Sequence, residues 1–401
     1  MNTDDKFLRE TYKLEQTVIK AFSDKVARQK QLEWWINRED ELKAWVDIIE
    51  KAASGYTNHI ALIIGSYGRG KTLSLFKIVD EAEKHDKIYP IFLTFKGEEK
   101  SKPGIDFILR VFKNINFDKL GESKTNEELK TAIERIPNSL EEAKNILYRI
   151  YFGKTSPNHT LLFSDRVQAK SEISKLALYY LRGEIKPNAS QMKNLGIIRK
   201  LDSIDIVKEY LAAILCFLKN LGYNSLLLAI DEFEHLFSLV TKSQQSIYIA
   251  LLRSLYDLPV GIEIEQENIA KMFFFIAMSE EGWAGMQEME KRESKIGGPT
   301  VPLRERIDSK IILGTFNKDQ TRELIEKRLR YNRTKEVFED DLLIPFTEDF
   351  VDFIYEETSG VPRYITVRCG KVLDAGRAER VPKLDSKFAK RVLEESGFFQ
   401  K

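Results

Sequence analysis

Short apolar runs punctuate the chain, and the stretches between them have the spacing of helices. The runs lie at 60–64, 88–95, 225–230, 272–278 and 310–313. The first is apolar throughout, which is the pattern of a parallel strand buried on both faces. The stretch 72–87 that follows it repeats apolar residues at helical intervals. Strands that alternate with helices predict an α/β fold with a mainly parallel sheet.

Helical patterns also fill three longer parts of the chain. Residues 1–55 predict an N-terminal helical segment. The interval 97–223 is too long for one crossover helix, and its Leu, Lys, Glu and Ile residues recur at helical spacing, so we expect a helical insertion there. From 316 to 401 the pattern is helical again. The expected domains are therefore the N-terminal segment, a core at 56–315 that carries the insertion, and a C-terminal helical domain at 316–401.

Composition narrows the class of protein. The 401 residues include 63 Lys and Arg against 62 Asp and Glu, a formal charge of +1, and 43% of them are hydrophobic. This excludes a disordered chain and a protein basic enough to coat nucleic acid, although a local basic face remains open. Two cysteines without a CxxC spacing predict neither a disulfide framework nor a zinc site. The start of the chain has no apolar signal region, and no apolar run reaches the roughly 20 residues of a membrane span, so we expect a cytoplasmic protein without membrane contact.

One motif carries explicit chemistry, and it follows the first predicted strand. It has the form GxxxxGK[ST] and consists of Gly65, Ser66, Tyr67, Gly68, Arg69, Gly70, Lys71 and Thr72. Glycines let backbone N–H groups converge on phosphate oxygens, and the start of the next helix adds positive potential. Lys71 is expected to reach the β- and γ-phosphates and Thr72 to ligate Mg²⁺. The alternative is a plain glycine-rich turn.

An acidic pair, Asp231-Glu232, follows the third predicted strand. A phosphate-binding loop needs a second metal anchor at such a strand end, where Asp231 would hold Mg²⁺ through water. Glu232 would then orient or activate the attacking water. Paired with the glycine-rich loop, the acidic pair predicts an Mg²⁺-dependent ATPase whose cofactors are ATP and Mg²⁺.

The loop, the acidic motif and several shorter strings resemble known ATPases. The strings are Leu181-Arg182-Gly183-Glu184, Leu195-Gly196, and Gly222-Tyr223 ahead of Asp231-Glu232-Phe233-Glu234. Over residues 30–395 the chain resembles AAA+ ATPases of the origin-recognition (initiator) type, and it is most similar to the P-loop ATP-binding proteins of BREX-type phage-defence systems. The resemblance implies a parallel-sheet AAA+ core with a large helical insertion, and it makes 316–401 the helical lid.

The resemblance also implies roles for individual residues. Ser279, after the fourth strand, would touch the γ-phosphate or its water; a helix cap is the alternative. Either Arg304 or Arg306 would reach the nucleotide of a neighbouring subunit; a solvated pair or an internal ion pair is the alternative. Arg363, in a Gly-x-Pro-Arg string, resembles the second sensor arginine of AAA+ lids. Arg38 would lie beside the adenine, unless it belongs to an ordinary charged helix start.

Two hypotheses about function follow. The first is an ATPase switch that works with DNA or DNA-processing partners in phage defence or in DNA replication or repair, and for it we expect a homo-oligomer or a partner protein. Its DNA contact would be a basic lid face at 322–335 or 363–380, for which a solvated face is the alternative. Arg69 stands at a loop position where many AAA+ proteins have a small residue, and it is a candidate for contact with a partner subunit or nucleic acid. The second hypothesis is an ATP-dependent signalling or scaffold module with slow turnover, which would bind a protein partner through the helical insertion.

Overall fold

The computed structural model describes residues 3–15, 31–36, 38–95, 102, 104–122, 124–153, 172–238, 241–258, 264–295, 303–333 and 342–397. The chain forms two compact units. The first contains 1–43, 64–77 and 312–401, and the second contains 44–63 and 78–311. The division into an N-terminal segment, a core and a lid stays a prediction.

The second unit is built on a five-stranded sheet. Its strands are β1 (His59–Ile64), β2 (Ile88–Thr94), β3 (Ser225–Asp231), β4 (Lys271–Met278) and β5 (Ser309–Ile312), of which β1 and β5 each end with one residue of the first unit. The order across the sheet is β2-β3-β4-β1-β5. The strands β2, β3 and β4 pair in parallel, and β5 runs parallel to β1. The predicted α/β fold with a parallel sheet is confirmed.

Burial along the strands explains why the apolar runs were visible in the sequence. Every residue of β1, β3 and β4 is buried, as expected for interior strands covered on both faces. The edge strands differ: β2 and β5 mix buried and partly exposed residues. The interior strands therefore carry polar residues only at their ends, at His59, Ser225, Asp231 and Lys271.

The described residues form the following helices, in chain order. They are α1 (Thr3–Thr11), α2 (Glu39–Ser54), α3 (Lys71–Ala82), α4 (Ile105–Asn114), α5 (Phe117–Glu122), α6 (Asn126–Glu134), α7 (Glu141–Phe152), α8 (Glu172–Leu181), α9 (Ala189–Leu195), α10 (Ile204–Asn220), α11 (His235–Ser238), α12 (Lys242–Tyr256), α13 (Glu280–Lys295), α14 (Lys318–Arg330), α15 (Glu348–Thr358), α16 (Pro362–Glu379) and α17 (Ser386–Glu395). Helices α4 to α10 occupy the predicted insertion, of which 97–101, 103, 123 and 154–171 lie outside the described residues. Within the part of the chain that is described, no helix has both the length and the apolarity to cross a bilayer.

The first unit has its own apolar core. Helices α1 and α14 to α17 contribute to it, and Tyr12, Trp34, Phe350 and Cys369 are almost completely buried there. Helix α14 begins at a capping box. The side chain of Asn317 accepts from the N–H of Gln320, and the side chain of Gln320 accepts from the N–H of Asn317. Apolar burial therefore brings the N-terminal residues and the C-terminal helices into one unit.

Candidate nucleotide-binding site

The glycine-rich loop connects β1 to α3. Gly68 and Gly70 have φ values of 83° and 93°, in the left-handed region where other residues are strained. The N–H of Arg69 donates to Ser66 O at 3.3 Å, and the N–H of Ser74 donates to Gly70 O at 2.9 Å. The loop therefore closes one turn and passes directly into the start of a helix.

Two side chains at the start of α3 complete the donor set of the loop. Lys71 Nζ lies back over the loop and donates to Gly65 O at 2.8 Å. Thr72 is the second residue of α3 and is exposed. Amides at a helix start and an ammonium suit a phosphate chain, and a hydroxyl suits Mg²⁺. The loop thus fits ATP and Mg²⁺ in its chemistry.

Arg363 lies against this loop within the first unit. Helix α16 begins at Pro362, and the N–H of Arg363 donates to Gly68 O at 3.2 Å. Its Cζ lies 4.5 Å from the centre of the Tyr67 ring, and Tyr67 is 64% exposed. A Cβ at Gly68 would come within 2.7 Å of Arg363 Cβ, so glycine permits this approach. The lid arginine implied by the resemblance is placed beside the phosphate-binding loop.

Arg38 and Arg69 bind backbone oxygens of the first unit. Arg38 donates to Arg69 O at 2.9 Å and to Gly314 O at 3.0 Å, and it is 6% exposed. Burial lowers the pKa of Arg38, and nearby Glu41 partly offsets this. Arg69 Nη1 donates to Leu313 O at 3.0 Å. The guanidinium of Arg69 thus binds backbone of its own unit, and a role toward a partner subunit or nucleic acid stays a prediction.

The acidic motif lies in the second unit, at the end of β3. Asp231 is 5% exposed, and its Oδ1 accepts from the N–H of Glu232 at 2.9 Å. Glu232 has a φ of 56°, in the left-handed region, although it is not a glycine. Its side chain is half exposed, with Oε2 4.0 Å from His235 Nδ1. A buried carboxylate and an accessible one thus stand side by side, which suits a metal anchor and a base.

Ser279 follows β4, the strand that lies between β3 and β1. Its Oγ accepts from the N–H of Gly282 at 3.0 Å, at the start of α13. The structure therefore shows the capping contact that was the alternative, and contact with a phosphate stays a prediction.

Arg304 and Arg306 lie in a short 3₁₀ turn, and their side chains have different surroundings. Arg306 makes a bidentate ion pair with Asp257 at 2.7 to 3.2 Å, which raises the pKa of Arg306. Arg304 is exposed, and its backbone N–H donates to Glu290 Oε1 at 2.9 Å. The internal ion pair therefore occupies Arg306, and Arg304 is the better candidate for a contact with a neighbouring subunit.

The basic segments of the lid are largely engaged within the first unit. Arg322 pairs with Glu326 and Glu348, Lys327 donates to Trp35 O, Arg328 stacks on Trp34, and Arg333 donates to two backbone oxygens. Arg330 is exposed, and Lys335 lies outside the described residues. In the second segment Arg368 binds Glu357. Most cations at 322–333 therefore have partners within the first unit, and a DNA contact through this face stays a prediction.

Sequence reasoning missed the side chains that hold the candidate arginines. Asp257 and Glu290 lie 49 and 14 residues from the groups they bind, and no spacing rule connects them. Glu41 lies 3.6 Å from Arg38 one helical turn later, and His235 approaches Glu232 at the same interval. An i,i+3 argument could have found the Arg38–Glu41 contact at the start of α2. Glu232 lies outside α11 in the left-handed region, so the helix rule does not predict its contact with His235.

The chain is similar to known proteins in both sequence and structure. The family described as "BREX system ATP-binding protein BrxC/D" matches residues 107–366, more than half of the chain. A protein of Methanocaldococcus jannaschii named as an uncharacterized HTH-type transcriptional regulator is 30% identical over 131 residues, which are 31% of this chain and 30% of that protein. The chain thus spans less than a third of that relative.

Two solved structures are similar at TM-scores below 0.5. The Aeropyrum pernix ORC2 protein, in ADPNP and ADP complexes, has a TM-score of 0.48 and 13% identity, with 94% of this chain and 71% of that one covered. The Drosophila ORC bound to DNA has a TM-score of 0.45 and 13% identity, with 95% and 65% covered.

Proposed function

Because the chain belongs to the family of BREX system ATP-binding proteins BrxC/D, we propose that it is an Mg²⁺-dependent ATPase that acts as a switch with DNA or DNA-processing partners. The observation that carries this proposal is the loop between β1 and α3. Its two left-handed glycines and the following helix start offer backbone N–H groups to a phosphate chain. The family match begins at residue 107, after this loop, so the loop supports ATP binding independently.

Each residue near the loop and the acidic motif has a chemical role in this proposal. In the first unit, Lys71 would bind the β- and γ-phosphates and Thr72 would ligate Mg²⁺, whose charge would offset the negative charge of the phosphate oxygens. In the second unit, Asp231 offers a carboxylate of the kind that Mg²⁺ prefers. Glu232 accepts a proton from the attacking water. Arg363 binds the phosphate chain from the lid.

The partner and pathway are part of the proposal. The description of the family supports a role in phage defence, and the name of the partial relative is in keeping with a DNA-linked role. The lid segment 322–333 gives DNA contact little support, because most of its cations bind within the first unit. A scaffold with slow turnover would have the same loop but would not depend on Glu232.

The test is steady-state ATP hydrolysis by the full chain, with and without Mg²⁺ and duplex DNA. Glu232→Gln should lower kcat by about a hundredfold or more while leaving the Kd for ATP unchanged, because only proton transfer is removed. Glu281→Gln, a change of the same chemistry on the exposed start of α13, is the control and should leave kcat unchanged. Turnover that is insensitive to Glu232→Gln would refute the assignment, and ATP binding without turnover would support the scaffold.

The role of Arg304 can be tested by mixing variants. Arg304→Ala should lower kcat when assayed alone, because its side chain would serve a neighbouring subunit. A mixture with Glu232→Gln should regain activity, since the first variant supplies Glu232 and the second supplies Arg304 at one shared interface. Activity that stays at the sum of the separate variants would contradict a contribution in trans.

A further inference from the structure

Arg38 has the surroundings of a residue that holds backbone in place. Its guanidinium is 6% exposed and donates to two carbonyl oxygens, Arg69 O and Gly314 O. Its Cζ lies 4.7 Å from the centre of the Phe316 ring, and Glu41 lies 3.6 Å away. All of these groups belong to the first unit. The planar fork of an arginine suits two acceptors at fixed positions, which a lysine cannot match.

Arg69 is held at two points. Its carbonyl oxygen accepts from Arg38, and its own guanidinium donates to Leu313 O, the residue before Gly314. The carbonyl oxygens of Leu313 and Gly314 thus each accept a hydrogen bond from one arginine side chain. The middle of the glycine-rich loop is thereby fixed through both its backbone and its side chain.

A fixed carbonyl also fixes the direction of the next N–H group. In a trans peptide the C=O of one residue and the N–H of the next point in opposite directions. Holding Arg69 O on the buried guanidinium therefore aims the N–H of Gly70 away from Arg38. Gly70 has a φ of 93°, and a Cβ there would have no heavy atom within 4 Å. The orientation of this peptide therefore depends on hydrogen bonding rather than on steric confinement.

We propose that Arg38 is a positioning residue that orients the Arg69–Gly70 peptide for a phosphate chain and does not contact the adenine base. The proposal rests on the proposed function, since it assigns the source of order in the same loop. It differs from the role that the resemblance implies for Arg38, in which the guanidinium lies beside the base. The two roles make different predictions for a ligand that has no base.

The test measures binding of ATP and of inorganic tripolyphosphate to the full chain by calorimetry. Arg38→Ala should weaken both ligands by the same factor, roughly ten- to a hundredfold, as expected when a charge-assisted hydrogen bond is lost. Arg38→Lys keeps the cation without the fork, and it should weaken both ligands equally but less. Arg330→Ala removes an exposed arginine of the same unit and is the matched control, with both affinities within about twofold of wild type.

The outcomes separate the possibilities. Loss of ATP affinity with unchanged tripolyphosphate affinity would place Arg38 at the base and overturn the proposal, and unchanged affinity for both ligands would overturn it as well. A wild-type chain that binds neither ligand would overturn the proposed function itself. If Arg38→Ala does not fold, the ratio of the two affinities in Arg38→Lys decides, because a general loss of stability does not distinguish a ligand with a base from one without.

Discussion

Gly360 is a position in the first unit at which a single methyl group should be severely destabilising. Its φ is 69°, and a Cβ built there would lie 2.0 Å from Phe316 O and 3.0 Å from Phe316 C. The contact is with backbone, which cannot rotate away as a side chain can. The N–H of Phe316 also donates to Gly360 O at 2.8 Å, so the two segments are already tied at close range.

The cost of Gly360→Ala has three parts. An alanine in the left-handed region costs about 1–2 kcal/mol. Displacing packed backbone by about 1 Å costs about 1–3 kcal/mol, as in overpacked cores. Loss of the hydrogen bond to Phe316 adds about 1 kcal/mol. The sum, about 3–6 kcal/mol, is a large part of the stability of a typical domain, which is about 5–15 kcal/mol.

Gly397→Ala is the matched control, because Gly397 has a φ of 73° and no heavy atom within 4 Å of a built Cβ. It should cost only the backbone part, about 1–2 kcal/mol. Urea unfolding gives the free energy for each variant, and hydrogen exchange of α14 and α16 shows whether the loss of stability lies in the first unit. Two variants that differ by less than about 1 kcal/mol would refute the steric reasoning.

Two further predictions concern the second unit. The first is a double-mutant cycle of Arg306→Ala and Asp257→Ala, measured by urea unfolding. We expect a coupling free energy of about 1 kcal/mol, because the ion pair is bidentate but partly exposed. A coupling free energy of zero would show that the pair does not anchor the 3₁₀ turn. His59 is buried, and burial lowers its pKa below the ordinary 6.5, so the unfolded chain takes up a proton first. The unfolding free energy should therefore fall as the pH drops from about 7 through 6.5, and His59→Gln should lessen that fall while the more exposed His85→Gln should not. Equal pH dependence in both variants would contradict this cause.

Much of the fold could be predicted because its signals are local. All five strands were predicted, and no end is shifted by more than one residue, since interior strands are apolar between their terminal residues. The helix expected over 72–87 ends at Ala82, because the chain then tightens: the N–H of Lys84 donates to Glu81 O and that of His85 to Ala82 O. The strand order could not be read from apolar runs alone. The resemblance to BREX-type ATP-binding proteins is confirmed by the family match.

The candidate site also has parts that the sequence predicts and parts that it does not. The glycine-rich loop could be predicted because phosphate binding requires its residues to be contiguous. The positions of the guanidinium groups could not, because their partners are remote in sequence. Arg38 binds the oxygen of Gly314, 276 residues away, and Arg306 binds Asp257, 49 residues away. For this reason a net charge of +1 and a basic stretch of sequence said little about which cations reach the surface.

Backbone strain gives an independent reason to assign chemistry to Glu232. Four non-glycine residues of the described chain have positive φ. Ser359 and Arg380 end helices, where the left-handed conformation is common, and Lys13 lies two residues after the end of α1. Glu232 instead follows β3, and its conformation costs about 1–2 kcal/mol. Hydrogen bonds of its two neighbours hold it there. Asp231 Oδ1 accepts from the N–H of Glu232, and the N–H of the buried Phe233 donates to Ala277 O in β4. The carbonyl of Glu232 also accepts from the N–H of His235, at the start of a turn, so the strained residue is tied on every side. Strain that is maintained in this way supports the reactive role proposed for Glu232.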